Sequence, residues 1–144
     1  MELSQNALYY VKVFAITLVL MFLVDLIWLG LVARNLYNTE LGNFGGNTGG
    51  VISIRWPVAV VIYFIMALGL VLFILPRIQT GTFSILAFAW GAAFGFVVYG
   101  VYNLSNLATL PQWPLKMSLI DMAWGTSFYG IISLIVGYLA RFLK

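Results

Sequence analysis

Apolar residues fall into four long runs separated by shorter polar stretches. None of the runs alternates with the period of two that a half-buried strand would need. They predict membrane-crossing helices at residues 9–31, 57–75, 84–102 and 118–140. A 23-residue run gives about 34 Å of helix, enough for a hydrocarbon core of about 30 Å. The punctuation fits. Trp56-Pro57 opens the second run, with an interfacial aromatic and a proline suited to a first helical turn. Pro76-Arg77 closes it, and the short link to Thr82 makes the third run an antiparallel neighbour. The expected fold is all-α and integral to the membrane: a single unit of four spans, arranged as two tandem helical hairpins.

The segment 35–55 reads as a loop. Its middle, Gly42 to Gly50, has the composition of a linker or a mobile lid. No Gly-Lys-Ser/Thr follows it, so it is not a phosphate-binding loop. The start of the chain lacks the basic stretch and small-residue cleavage site of a secretory signal, so the first run is expected to remain as a span.

Composition sharpens this picture. The 144 residues are 63% hydrophobic and only 8% charged, with mean hydropathy +1.05. A soluble domain carries about 25% charged residues, so lipid is the expected solvent for most of the surface. The seven basic residues are dispersed, which speaks for membrane-edge anchors and against a nucleic-acid patch. With no Cys and no His, thiolate chemistry, imidazole bases and metal sites built on Cys or His are excluded. No metal site and no cofactor are expected.

Four spans put both termini on one side. That side collects Lys12, Arg77, Arg141 and Lys144, against Arg34, Arg55 and Lys116 on the other. The excess favours cytoplasmic termini, in a bacterial inner membrane. Small residues recur at helical spacing, Gly91 with Gly95 and Gly130 with Gly137. Such faces suit close helix packing, within the bundle or between two copies.

The halves also resemble one another. Aligning Asp25 with Asn103 pairs Leu26 with Leu104, Leu29 with Leu107 and Gly30 with Ala108, and Trp56-Pro57 then echoes Trp113-Pro114. This points to a duplicated hairpin in parallel orientation. A site between repeats is a known membrane design.

Polar groups gather at one end. Asp25 lies near the end of the first span and Asp121 near the start of the fourth, at similar depth. Asn103, Asn106, Arg34, Arg55 and Lys116 belong to the same face. Intramembrane carboxylates cost about 2.5–3.5 kcal/mol on insertion scales and mark functional sites by default. Asp121 has a structural alternative, since Ser118-x-x-Asp121 has the form of a capping box. Asn103 and Asn106 have one as caps of the third helix. Asp25 sits near a helix C-terminus, where the dipole disfavours it, and has no such alternative. Candidate ligand residues are thus Asp25, Asp121, Asn103, Asn106, Arg34, Arg55, Tyr102 and Trp124.

The stretch Asn103 to Leu110, then Trp113-Pro114, then Asp121-Met122-Ala123-Trp124-Gly125, with Val24 to Gly30 in the first half, resembles a domain-of-unknown-function family. Its members are small bacterial integral membrane proteins with four helices. The resemblance implies fold and membrane, and no activity. The family pattern carries an acidic residue at the place of Asn103, so a mechanism needing a carboxylate in both repeats does not carry over.

Three functions fit. The first is binding or transport of a small polar solute, cation or proton at the polar end. The second is lipid binding or assembly, with Tyr99, Tyr102, Trp113, Trp124 and Tyr129 as walls. The third is a carboxylate-based membrane enzyme, which the absence of a motif around either Asp disfavours.

Overall fold

A computed structural model describes residues 2–41 and 54–144. The glycine-rich stretch from Gly42 to Gly50, read as linker or lid, lies outside the described residues. Among the described residues five α-helices follow in order: α1 (Glu2–Ile27), α2 (Arg34–Leu41), α3 (Trp56–Gly69), α4 (Ile85–Thr109) and α5 (Leu115–Leu139). A π-helical turn, Trp28–Val32, prolongs α1, and another, Leu70–Ile74, prolongs α3. Short 3₁₀ turns finish α3 at Leu75–Arg77 and α5 at Ala140–Leu143. Among the described residues four segments are long and apolar enough to cross a membrane: Gln5–Val32, Trp56–Arg77, Ile85–Thr109 and Leu115–Leu143.

The first helix starts at Glu2 rather than 9. At the polar stretch two further boundaries differ from expectation: the third helix runs to Thr109 rather than 102, and α5 begins at Leu115 rather than 118. Both reach into the polar stretch because its hydroxyls are absorbed by the helix itself. Ser105 Oγ donates to the Val101 carbonyl at 2.6 Å and Thr109 Oγ1 to Ser105 at 2.8 Å. The expected loop 35–55 is also not all loop, since Arg34–Leu41 forms α2. Tyr37 and Leu41 fall one turn apart on its half-buried side, while Arg34 and Asn35 are exposed.

The spans pair as two hairpins, α1 with α3 and α4 with α5. The first pair meets through aromatic edges. Phe14 lies against Phe64 with ring centroids 4.9 Å apart, and Phe22 against Tyr63 at 5.5 Å. The second pair meets through glycines. A Cβ on Gly91 would strike Ser133 and the Tyr129 carbonyl; one on Gly95 would strike Gly125 and Tyr129. Gly125 itself makes room for the Tyr99 ring, and Gly130 for Phe88. The four glycines considered for joining two copies, Gly91, Gly95, Gly130 and Gly137, therefore all face their own chain. Gly137 meets Ile78 of the link between hairpins. Close approach without side chains between the backbones is what makes α4 and α5 the tightest pair.

The core runs along α5, where Phe128, Tyr129, Ile132 and Val136 are buried against Val13 and Met21 of α1 and Ala67 and Leu70 of α3 and its extension. The outward positions are large and apolar, for example Leu31 at 80% exposed and Ile85 at 77%. In water such a surface would drive aggregation; in lipid it is matched to its solvent. The link between hairpins is pinned at Gly81, whose φ of +92° only glycine adopts without strain. Its N–H donates to the Gly137 carbonyl at 2.8 Å, and its own carbonyl accepts from Arg141 at 3.2 Å.

Candidate functional site

Asp25 sits on α1 about seven residues before the end of its π turn, and Asp121 lies about six residues into α5, roughly 9–10 Å inside the bundle end in each case. Both are nearly closed off, 7% and 6% exposed. Because α5 starts at Leu115, Asp121 is in the second turn and is not a cap. The capping-box reading fails for Ser118 too: its hydroxyl accepts from Trp113 Nε1 at 3.0 Å and donates to the Pro114 carbonyl at 3.4 Å. Neither side chain is engaged in capping, which leaves Asp121 turned into the bundle.

Each carboxylate accepts two side-chain hydrogen bonds, one from its own hairpin and one from the other half. Asp25 Oδ2 accepts from the Tyr63 hydroxyl at 2.6 Å, and Oδ1 from Trp124 Nε1 at 3.0 Å. Asp121 Oδ2 accepts from Asn103 Nδ2 at 2.6 Å, and Oδ1 from the Tyr37 hydroxyl. Tyr63 shares a hairpin with Asp25, and Asn103 with Asp121; Trp124 and Tyr37 cross between halves. Hydrogen bonds to an ionised acceptor are roughly twice as strong as neutral ones. The four together form a polar clasp between the hairpins.

Aromatic rings enclose it. Trp28, in the π turn, stacks on Trp124 with centroids 4.2 Å apart and planes 3° from parallel. The insertion of a residue into the turn places this indole where a regular helix would not. The Trp28 indole N–H approaches the Tyr37 hydroxyl without reaching hydrogen-bond geometry, so Nε1 is buried and unpartnered. Tyr99, seated over Gly125, lies within electrostatic reach of both carboxylates and of Tyr37. Outside the spans, burial pushes the Tyr37 phenol far above the usual tyrosine range, and the Asp121 carboxylate beside it adds to the shift. Tyr37 therefore stays protonated and remains a donor.

Asn103 is fully buried and belongs to this cluster rather than to a helix end. Its Nδ2 also donates to the Tyr99 carbonyl at 3.0 Å, while Oδ1 has no partner. Asn106 stays near the end of α4, where its carbonyl accepts from Leu110 at 2.8 Å. Tyr102 is 53% exposed and packs edge-on against Trp113. Arg34 and Arg55 are exposed. All seven basic residues lie in the described part of the chain, and none pairs with either aspartate; the ion pair found there joins Lys116 to Glu40 at 2.8 Å. Of the eight sequence candidates, the structure brings together Asp25, Asp121, Asn103 and Trp124. It adds Tyr37, Tyr63, Trp28 and Tyr99. Tyrosine is invisible to a search for charge in a membrane protein, because it also reads as belt or packing. Tyr63 carried one usable signal: it follows Trp56-Pro57 at almost the interval by which Asp121 follows Trp113-Pro114.

Among the described residues no group of three acidic, His or Cys side chains could hold a metal ion. Of the five aromatics expected to wall a lipid pocket, Tyr129 is buried in the core with its hydroxyl on the Met66 carbonyl, and Tyr102 is exposed. The opposite end of the bundle holds a different feature, an open cavity of about 580 Å³ lined by Gln5, Asn6, Tyr9, Tyr10, Leu75, Thr80 and Lys144. Among the described residues that line it there is no Asp or Glu.

No curated protein and no solved structure matches the chain. Residues 10–139 match the family described as "Predicted membrane protein (DUF2177)". Four apolar spans and a family match over nearly the whole length agree: the chain is an integral membrane protein belonging to the DUF2177 family.

Proposed function

We propose that the protein binds, and passes across the membrane, a small cation, proton or polar solute at the Asp25–Asp121 cluster. One observation carries this reading. Two carboxylates inside the span region are held by four neutral donors, and no basic side chain offsets their charge. Hydrogen bonds alone do not repay the desolvation of a buried ion, whose effective cost is several kcal/mol. A positively charged ligand or a proton does, which makes the cluster a seat for one. The site lies at the end where α1 and α4 finish and α5 begins. With the termini in the cytoplasm of a bacterial cell, as the excess of Lys12, Arg77, Arg141 and Lys144 favours, that end faces outward.

The test is flux in proteoliposomes carrying an internal pH dye or a radiolabelled alkali cation. Wild-type protein is expected to accelerate equilibration, and Asp25→Asn and Asp121→Asn to slow it by about 10-fold or more, the scale of losing one charged contact of 1.4 kcal/mol or above. Equal flux through wild type and both variants overturns the proposal.

A further inference from the structure

The two carboxylates are not equivalent. Each oxygen of each carboxylate accepts one side-chain hydrogen bond, yet only Asp121 is bonded to a residue with a buried, unpartnered amide oxygen. Asn103 Nδ2 donates both to Asp121 and to the Tyr99 carbonyl. Exchanging the amide's N and O would set an oxygen against both acceptors, so the orientation is fixed by its partners. Oδ1 is then left buried, on a side chain with no exposure, without a donor. Such an orphan acceptor costs about 1–3 kcal/mol if nothing fills it. The partners of Asp25 are a phenol and an indole, which leave no amide or carbonyl oxygen beside that carboxylate.

What the Asn103–Asp121 pair lacks is therefore positive, or a donor. It already has an excess of acceptors, so an anion or a carbonyl group would aggravate the shortage. All its atoms on offer are oxygens, the ligands of hard cations, and the chain has no His or Cys to attract a softer metal. One carboxylate balances one charge.

We infer that Asp121 and the side-chain oxygen of Asn103, both on the α4/α5 hairpin, seat a single monovalent positive ligand, a proton or an alkali cation, while Asp25 joins the two halves. The inference rests on the preceding reading and assigns its ligand to one of the two aspartates. The groups that face Asp121 are Tyr37 of α2, Asn103, Tyr99 and Tyr102 of α4, and Asp25 of α1. Trp124, one turn along α5, and Tyr63 of α3 reach the cluster through Asp25. None of these is basic. The Tyr37 hydroxyl bonds the same carboxylate, so a ligand that draws on Asp121 also loosens or tightens α2.

The experiment is thermal unfolding of the purified full chain in detergent, read in two arms. One arm varies lithium, sodium and potassium against choline at constant ionic strength and pH; the other varies pH in choline alone. The expected result is stabilisation by roughly 3 °C or more from one alkali cation, or from protons alone. The shift is lost in Asp121→Asn and Asn103→Leu and retained in Asp25→Asn, whose baseline is lower. With magnesium and calcium added to the first arm, a shift that survives Asp121→Asn, that vanishes in Asp25→Asn, or that is produced by calcium or magnesium and by no monovalent ligand overturns the assignment. So does the absence of any shift. If Asn103→Leu does not fold, the contrast between Asp121→Asn and Asp25→Asn decides alone. A shift that follows Asp25, together with flux lost in both aspartate variants, leaves the functional proposal standing and removes only this assignment.

Discussion

The two hairpins solve the same problem in opposite ways. In α4/α5, glycines bring the backbones together and the polar pair is Asn103 on the first helix with Asp121 on the second. In α1/α3, aromatic edges hold the helices apart and the order is exchanged, with Asp25 on the first helix and Tyr63 on the second. Carboxylate and donor trade places between halves. Had the acid stayed on the first helix of each hairpin, its counterpart would stand where Asn103 stands. The exchange instead puts the second acid on α5, the helix that touches both hairpins, and lets each half donate across to the other's carboxylate. The clasp thereby couples halves that are otherwise joined by apolar packing, which in lipid gains little from exclusion of solvent.

The comparison breaks most severely at the glycines. Gly95→Leu should destabilise by about 3 kcal/mol or more, because a side chain there meets the Gly125 backbone and cannot be relieved by rotamer changes. Gly30→Leu, with open space around it, should cost less than about 1 kcal/mol. Equal loss in detergent unfolding would mean that α4 and α5 are no tighter than the rest. Next come the donors that cross between halves. Trp124→Phe removes the hydrogen bond to Asp25 and weakens the stack on Trp28, for an expected loss of about 1.5–3 kcal/mol. Tyr63→Phe, acting within one hairpin, should cost about 1 kcal/mol. A double-mutant cycle with Asp25→Asn should show coupling for both; additivity would dissolve the clasp.

Tyr37 supplies a pH signature. Its folded pKa is raised, so the stability it provides is complete below the ordinary tyrosine value of about 10 and declines as pH rises beyond it. Tyr37→Phe should lower stability at neutral pH by about 1–2 kcal/mol and flatten the alkaline fall. An unchanged alkaline profile would show that the phenol is not the donor. The smallest effect belongs to the rim. Lys116→Ala breaks an ion pair to Glu40 whose lysine is 67% exposed, and should change stability by less than about 1 kcal/mol.

Much of the architecture is legible in the sequence because length and polarity alone define a span. The Trp56-Pro57 and Trp113-Pro114 starts were plain, and Ser84 caps α4 through its hydroxyl to the Leu86 N–H at 3.3 Å. Boundaries within polar stretches were not legible. Ser105 and Thr109 look like loop residues until their hydroxyls are seen bonding back along the helix. The Ser118-x-x-Asp121 pattern matches a cap only for a helix that begins at 118, not for one that begins at Leu115. The convergence of Asp25, Asp121, Asn103 and Trp124 followed from counting residues to a common end. Tyr37 could not be found that way, because it lies on a helix hidden inside an expected loop and reaches Asp121 across 84 positions. The arginines misled for the converse reason. Charge suggested partnership, but Arg34 and Arg55 gain more from the aqueous boundary than from entering the bundle.

The stacked indoles of Trp28 and Trp124 carry an optical consequence. One belongs to the first half and the other to the second, in van der Waals contact and parallel. Two transition dipoles that close exchange excitation energy, and their emission differs from that of either ring alone. Any rearrangement that parts the halves would separate the dipoles and return two independent fluorophores. The protein thus contains its own distance gauge across the joint, readable without a label.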